Sequence, residues 1–172
     1  MRHIRPHHAG AVIALAGLMT LGACERHSEE EALRLMSGWF DLGETLYFES
    51  RKGCTAAIYR VKSGDVKSRV PVFDSVEAVA VSGRLQKTFA LSIRDKTADE
   101  LFIDLMNADR STGIAIQAAG VAARPCMSER ARNTFFAVLN AEPSTVVFSN
   151  AETAFAVLDP VRGIVMLTSG DA

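Results

Sequence analysis

Histidine is confined to one end of this chain. All four, His3, His7, His8 and His27, fall within the first 27 of 172 residues. A domain folded from residues 28–172 has no imidazole. That excludes Ser-His-Asp and Cys-His nucleophilic catalysis there, and zinc sites built on imidazole. Cysteine is scarce as well, at Cys24, Cys54 and Cys126 only. No Ser stands three residues before a Lys, so the Ser-x-x-Lys nucleophile motif is missing. No Gly-rich phosphate loop is present either. Large amphipathic aromatics reduce to Trp39, Tyr47 and Tyr59. After residue 23 no apolar run approaches the roughly 20 residues that span a bilayer.

What is present begins with a three-part leader. Met1 to His8 carries Arg2 and Arg5, and Ala9 to Ala23 is apolar or small, broken only by Thr20. Those 15 residues are too few for a spanning helix and suit the apolar region of a signal peptide. The run closes on Leu21-Gly22-Ala23-Cys24. This segment resembles the lipobox of bacterial lipoprotein precursors, a resemblance that covers residues 1–24 alone. It implies a diacylglycerol on the Cys24 thiol, cleavage between Ala23 and Cys24, and acylation of the new amine. Gly22 and Ala23 leave the room a peptidase needs to bind extended backbone. Each buried methylene contributes about 0.8 kcal/mol, so several chains on one cysteine make a stable membrane anchor. Glu25 follows the cysteine where Asp tends to retain such proteins in the inner membrane. The resemblance therefore favours the outer membrane, with the domain facing the periplasm.

On this reading residues 1–23 are a signal peptide, 24–27 a lipidated tether and 28–172 one globular domain. The mature chain has 149 residues, enough for a real core. Loss of Arg2 and Arg5 leaves 17 basic against 20 acidic residues, a net charge of about −3. A weakly acidic surface argues against nucleic acid as a partner. With Cys24 carrying lipid, Cys54 and Cys126 remain as an even pair in an oxidising compartment, which predicts one disulfide. The bridge would close a loop of about 73 residues and stabilise by roughly 4 kcal/mol on the chain-entropy argument.

Ser28 and Glu31 have capping-box spacing, and Leu33, Met36, Trp39 and Phe40 recur at helical intervals after them. The pattern predicts a first helix ending near Asp41 or continuing to Phe48. Thr55–Val61 and Val66–Phe73 read as a hairpin turning at Lys62-Ser63-Gly64-Asp65. Asp74 with Glu77 looks like a helix start, followed by Val76, Val79, Ala80, Leu85, Phe89 and Ala90. Thr97 and Glu100 form a second capping box, opening a helix to about Ala108. Residues 112–123 fit a strand or a tightly packed helix, and helix is preferred. Ser128–Asn140 is helical, and Pro143 marks its exit. Thr145–Ser149, Ala154–Leu158 and Gly163–Thr168 read as strands. Strands near both ends with helices between predict an α+β domain with a mainly antiparallel sheet.

Carboxylates are the chemistry left over. Asp95, Asp99, Glu100, Asp104 and Asp109 form an acidic run, interleaved by Arg94, Lys96 and Arg110. Two of them would serve a glycosidase as acid and base, yet the spacing places them on the polar side of an amphipathic helix. Asn107, Asp109 and Ser111 alternate like a calcium loop, but the twelfth position holds no Glu. Trp39 reads as core, and Arg124-Pro125-Cys126 as a helix-entry turn held by the disulfide. No residue receives a catalytic or metal-binding role, and no cofactor is called for. Two functions are compatible with these residues. The first is a non-enzymatic lipoprotein that holds or binds another envelope component. The alternative is a carboxylate-dependent hydrolase or lyase acting on cell-wall glycans, which requires acids from distant segments to meet in one cleft. Small-ligand carriage would need a sizeable apolar pocket.

Overall fold

The computed structural model describes residues 26–170, apart from the side chain of Arg84. The leader, Cys24 and Glu25 lie outside the described residues. The fold is α+β: a seven-stranded sheet with five α-helices among the described residues, most of them in the middle of the chain. The helices are α1 (Glu29–Ser37), α2 (Val76–Ser82), α3 (Ala98–Ala108), α4 (Arg110–Ala122) and α5 (Glu129–Leu139). The strands are β1 (Phe40–Arg51), β2 (Cys54–Val66), β3 (Val72–Phe73), β4 (Thr88–Leu91), β5 (Thr145–Ser149), β6 (Ala154–Asp159) and β7 (Ile164–Gly170). They lie in the order β1-β2-β7-β6-β5-β4-β3, antiparallel except for the short β3–β4 pair.

The three C-terminal strands fall where expected. β6 and β7 are buried along their whole length, which is why Ala-Phe-Ala-Val-Leu and Ile-Val-Met-Leu read as continuous apolar runs. The N-terminal half differs from the sequence reading. Both α1 and α3 carry complete capping boxes, on Ser28 and Thr97, but α1 stops at Ser37. Tyr47 and Phe48 sit on a strand, β1, instead of extending a helix. β2 runs straight through the expected turn at 62–65. Its hairpin partner is β1, joined at Lys52-Gly53, where Gly53 takes a φ of 87°. That left-handed geometry suits glycine. Phe89 and Ala90 belong to β4, because the helix that begins after Ser75 ends at a 3-10 turn, Gly83–Leu85.

Each sheet face feeds its own core. One face offers Ile58, Met166, Phe155, Val157, Phe148 and Phe89, packed against α2 to α5. The other offers Tyr59, Val165, Leu167, Leu158 and Val147, clustered with Ala32 and Met36 of α1 and with Trp39 and Phe40. Trp39 is thus core, as its spacing suggested. Tyr59 is fully buried, and its hydroxyl has no hydrogen-bond partner among the described residues. Burial, and secondarily the nearby Glu29 carboxylate, raises its phenol above the ordinary range.

Candidate functional site: an apolar groove between three helices

α3 carries three different faces. Ala98, Leu101 and Leu105 point into the core. Asp99, Phe102, Ile103 and Met106, at helical spacing, face α4 and α5. Asp104, Asn107 and Ala108 face the opposite way, towards α2. The second face lines a groove of about 270 Å³, a little under the usual range for small-molecule sites.

The groove's floor is aromatic. Phe155 of β6 meets Phe102 at 5.2 Å and Phe135 at 6.3 Å between ring centres. Gly120 lets α4 settle onto that floor, since a Cβ there would lie 3.1 Å from the Phe155 ring. Gly113 does the same against α3, where a Cβ would fall 2.5 Å from the Met106 Cα. The small residues that leave residues 112–123 open between strand and helix are what allow three helices to converge. The rim is apolar and wet: Ile103, Val121 and Phe136 are each more than half exposed. Arg124 and Arg132 flank the turn between α4 and α5 and also line the groove. Neither guanidinium makes a hydrogen bond or ion pair with a described residue, and Asp99 is the one acid on the lining.

The turn itself is held from two sides. Cys54 and Cys126 are disulfide-bonded, with an S–S distance of 2.05 Å and Cα atoms 6.0 Å apart, which ties β2 to the 3-10 turn Arg124–Cys126. Tyr47 of β1 donates its hydroxyl to the Cys126 carbonyl at 2.8 Å and accepts from the Ser128 amide at 2.9 Å. Ser128 then caps α5. The disulfide expected from cysteine arithmetic therefore positions one wall of the groove, together with a tyrosine that the sequence does not single out for that role.

On its other side α3 borders a polar cleft. Asp74, Glu77, Lys96 and Asp104 line it, with Ser75 and Asn107. Acids from separate segments do meet here, but Asp74 and Glu77 are exposed and Asp104 is ion-paired to Lys96. The hydrogen bond to Asp104, reinforced by the charges of Asp104, Glu100 and Glu77, holds the Lys96 ammonium above its ordinary range. A carboxyl acting as general acid needs burial or a like-charged neighbour to keep its proton, and open solvent gives no such help. The rest of the acidic run is dispersed. Asp95 is exposed, Asp99 lines the groove, and Glu100 completes the α3 capping box. Asp109 is buried and accepts from the Ser111 and Thr112 hydroxyls at 2.7 and 2.8 Å as it caps α4. The calcium-like spacing at 107–111 is thus a helix junction. Among the described residues, no group of three or more His, Cys, Asp or Glu side chains could hold a metal ion.

One expectation is corrected here. The sequence reading puts His27 in a tether outside the folded domain, yet it is only 9% exposed. Its Nδ1 lies 3.2 Å from the Thr55 hydroxyl, and its Nε2 3.6 Å from the Glu152 carboxylate. The domain therefore holds one imidazole. This Glu-His-Thr line resembles a nucleophile relay in outline only, because Thr55 is fully buried and no reacting group can reach it. Its geometry fits a docking role instead: the His27 amide donates to Ser50 Oγ at 3.2 Å, and the Arg26 amide to the Arg51 carbonyl at 3.2 Å. The Arg26 guanidinium reaches Ser169 Oγ and the Glu152 carbonyl. The chain here passes the β1–β2 turn, where polar groups of β1, β2 and β7 pair with it.

Comparison with protein families, with curated proteins and with solved structures finds no match to this chain. No helix among the described residues is long and apolar enough to cross a membrane.

Proposed function

We propose that this chain is a lipid-anchored protein of the bacterial envelope, and that its domain is a non-enzymatic binding module. The anchor is Cys24, carrying acyl chains, with the outer membrane favoured and the domain facing the periplasm. The observation that carries the binding role is the groove between α3, α4 and α5. An exposed apolar surface rimmed by cations costs free energy in water and marks a contact site. The short docked segment Arg26–His27 supports the same reading, because it would hold the domain close to the bilayer. Nucleic acid is not a partner on this reading; the membrane is, through the anchor, and an envelope component would be a second.

Mass spectrometry of the N-terminal peptide from membranes tests the anchor. A chain beginning at an S-diacylglyceryl Cys24 is expected, and Cys24→Ser should move the protein out of the washed membrane fraction. A free thiol, or a chain still beginning at Met1, would end the envelope reading.

The alternative, hydrolysis or lysis of cell-wall glycans by carboxylates, has one observation in its favour: Asp74, Glu77 and Asp104 border a single cleft. Incubation with purified cell wall decides it. Release of soluble glycan that Asp104→Asn abolishes would establish it, and no release would remove it.

A further inference from the structure

The groove has a chemistry of its own. Its floor is Phe102, Phe135 and Phe155, its lip Val121 and Phe136, and its charged lining is two arginines, Arg124 and Arg132, against one acid, Asp99. Among the described residues neither guanidinium has a partner. We infer that it takes a single acyl chain bearing an anionic head group, drawn from the membrane to which the chain is attached. The inference rests on the anchored reading for the source of the ligand and on the groove alone for its nature.

Three observations support it. The first is shape: about 270 Å³ is the space of roughly nine water molecules at about 30 Å³ each. A methylene is of similar size, so the groove holds part of one acyl chain and is too small for two. The second is charge. Arg124 and Arg132 both line the groove beside the α4–α5 junction, so its lining carries two cations to one acid and favours a carboxylate or phosphate outside the apolar floor. The third is position. Arg26 is bound to Ser169. Gly170, the next residue, packs so closely on α4 that a Cβ there would lie 2.4 Å from the Ala122 Cβ. Val121 and Arg124 flank that contact. The groove's cationic end is thus on the side of the domain where the chain leaves for residue 24, two residues or about 7 Å of extended chain beyond Arg26. A lipid leaving the bilayer would meet it first.

Photo-crosslinking in membranes carrying the full chain tests this without detergent. The probe is a twelve-carbon fatty acid with a terminal diazirine, and labelled peptides are mapped by mass spectrometry. Saturable labelling is expected on peptides spanning residues 102–106, 117–124 and 132–139. Unlabelled dodecanoate should compete at least about tenfold better than octanoate, since each buried methylene multiplies affinity roughly fourfold. Its methyl ester should compete more weakly. Val121→Asp should remove the labelling, and Arg124→Gln with Arg132→Gln should reduce it about threefold or more. These side chains are exposed, so unchanged thermal midpoints are expected and checked alongside.

Unsaturable labelling, equal competition by octanoate, or adducts confined to the exposed Val81 and Leu85 would overturn the proposal. So would a concentration-dependent dimer that Val121→Asp dissolves, which assigns the groove to a second copy. A protein crosslink across the groove that dodecanoate does not displace would assign it to an envelope protein and equally overturn the proposal. The same spectra read Cys24. An unmodified Cys24 beside saturable labelling overturns the anchor and the membrane as source. A lipidated Cys24 beside unlabelled helices overturns the acyl site alone.

Discussion

The two sides of α3 are built from one helix and do opposite things. Towards α4 and α5 it presents Phe102, Ile103 and Met106 to an aromatic floor, and the arginines on that lining are unpaired among the described residues. Towards α2 it presents Asp104 and Asn107, and the cation there, Lys96, is already satisfied. A cleft whose one cation is already paired, and whose remaining acids stand in open solvent, offers a ligand little. A groove that leaves apolar surface wet and two guanidinium groups free offers both a hydrophobic contact and a counter-charge. The difference separates a structural surface from a binding one better than size does, since the polar cleft is the larger at about 570 Å³.

The comparison can be broken hardest at the disulfide. Replacing Cys54 and Cys126 by Ala removes a cross-link between residues 72 apart, expected to cost about 4 kcal/mol in denaturant unfolding. Amide exchange should rise most at the start of α5 and the end of α4, and least in α2. Uniform loosening would show that the bridge does not position the groove wall in particular. Phe155→Ala, beneath the groove, is expected to cost about 3 kcal/mol, whereas Asp104→Asn in the cleft should leave the thermal midpoint nearly unchanged. Thr97→Ala removes the cap of α3 and should cost about 1 kcal/mol, affecting both sides together.

Titration sharpens the contrast. Hydrogen bonds from the Thr97 amide and hydroxyl lower Glu100, and those from Ser28 lower Glu31, below the ordinary value of 4.5. Their contribution is therefore present above that pH and fades as pH falls through the lowered values. Lys96 behaves in the opposite sense. Raised above 10.5, it contributes fully below that pH and loses its effect as pH climbs through the raised value. Melting curves across pH should lose part of the acid limb in Glu100→Gln, with the Glu31 part remaining, and the alkaline limb in Lys96→Met. The smallest effect is expected at Tyr59→Phe, where removal of a buried hydroxyl without a partner should leave stability equal or slightly higher.

Much of the architecture is legible because it is local. Capping boxes at Ser28 and Thr97, the run of branched residues in β5 to β7, and the Cys54–Cys126 pairing each derive from nearby residue types or from compartment chemistry. The β1–β2 hairpin misleads for a physical reason. Met36, Trp39 and Phe40 keep helical spacing past the end of α1, because α1 and the start of β1 share one core, while Leu33, in the same pattern, is exposed. Gly64 draws the expected turn away from Gly53, although only Gly53 of the two takes a positive φ. The groove is hidden for another reason. Its floor residues Phe102 and Phe135 belong to apolar helix faces that periodicity reveals, but a face becomes a groove only when three helices leave a gap. That depends on Gly113 and Gly120 and on long-range packing. His27 escapes because a residue's distance along the chain from the first helix says nothing about whether it docks.

The clamp on Arg26 and His27 has a mechanical consequence. A membrane protein on a slack leash samples every heading, and its binding surface spends most of its time pointed uselessly. Here Arg26 and His27 are hydrogen-bonded to β1 and β7, so position 24 lies only two places along the sequence from a fixed point of the domain. With lipid on Cys24, the domain would stand on the bilayer like a post set in its footing, free to drift sideways and to spin, but with little freedom to tip.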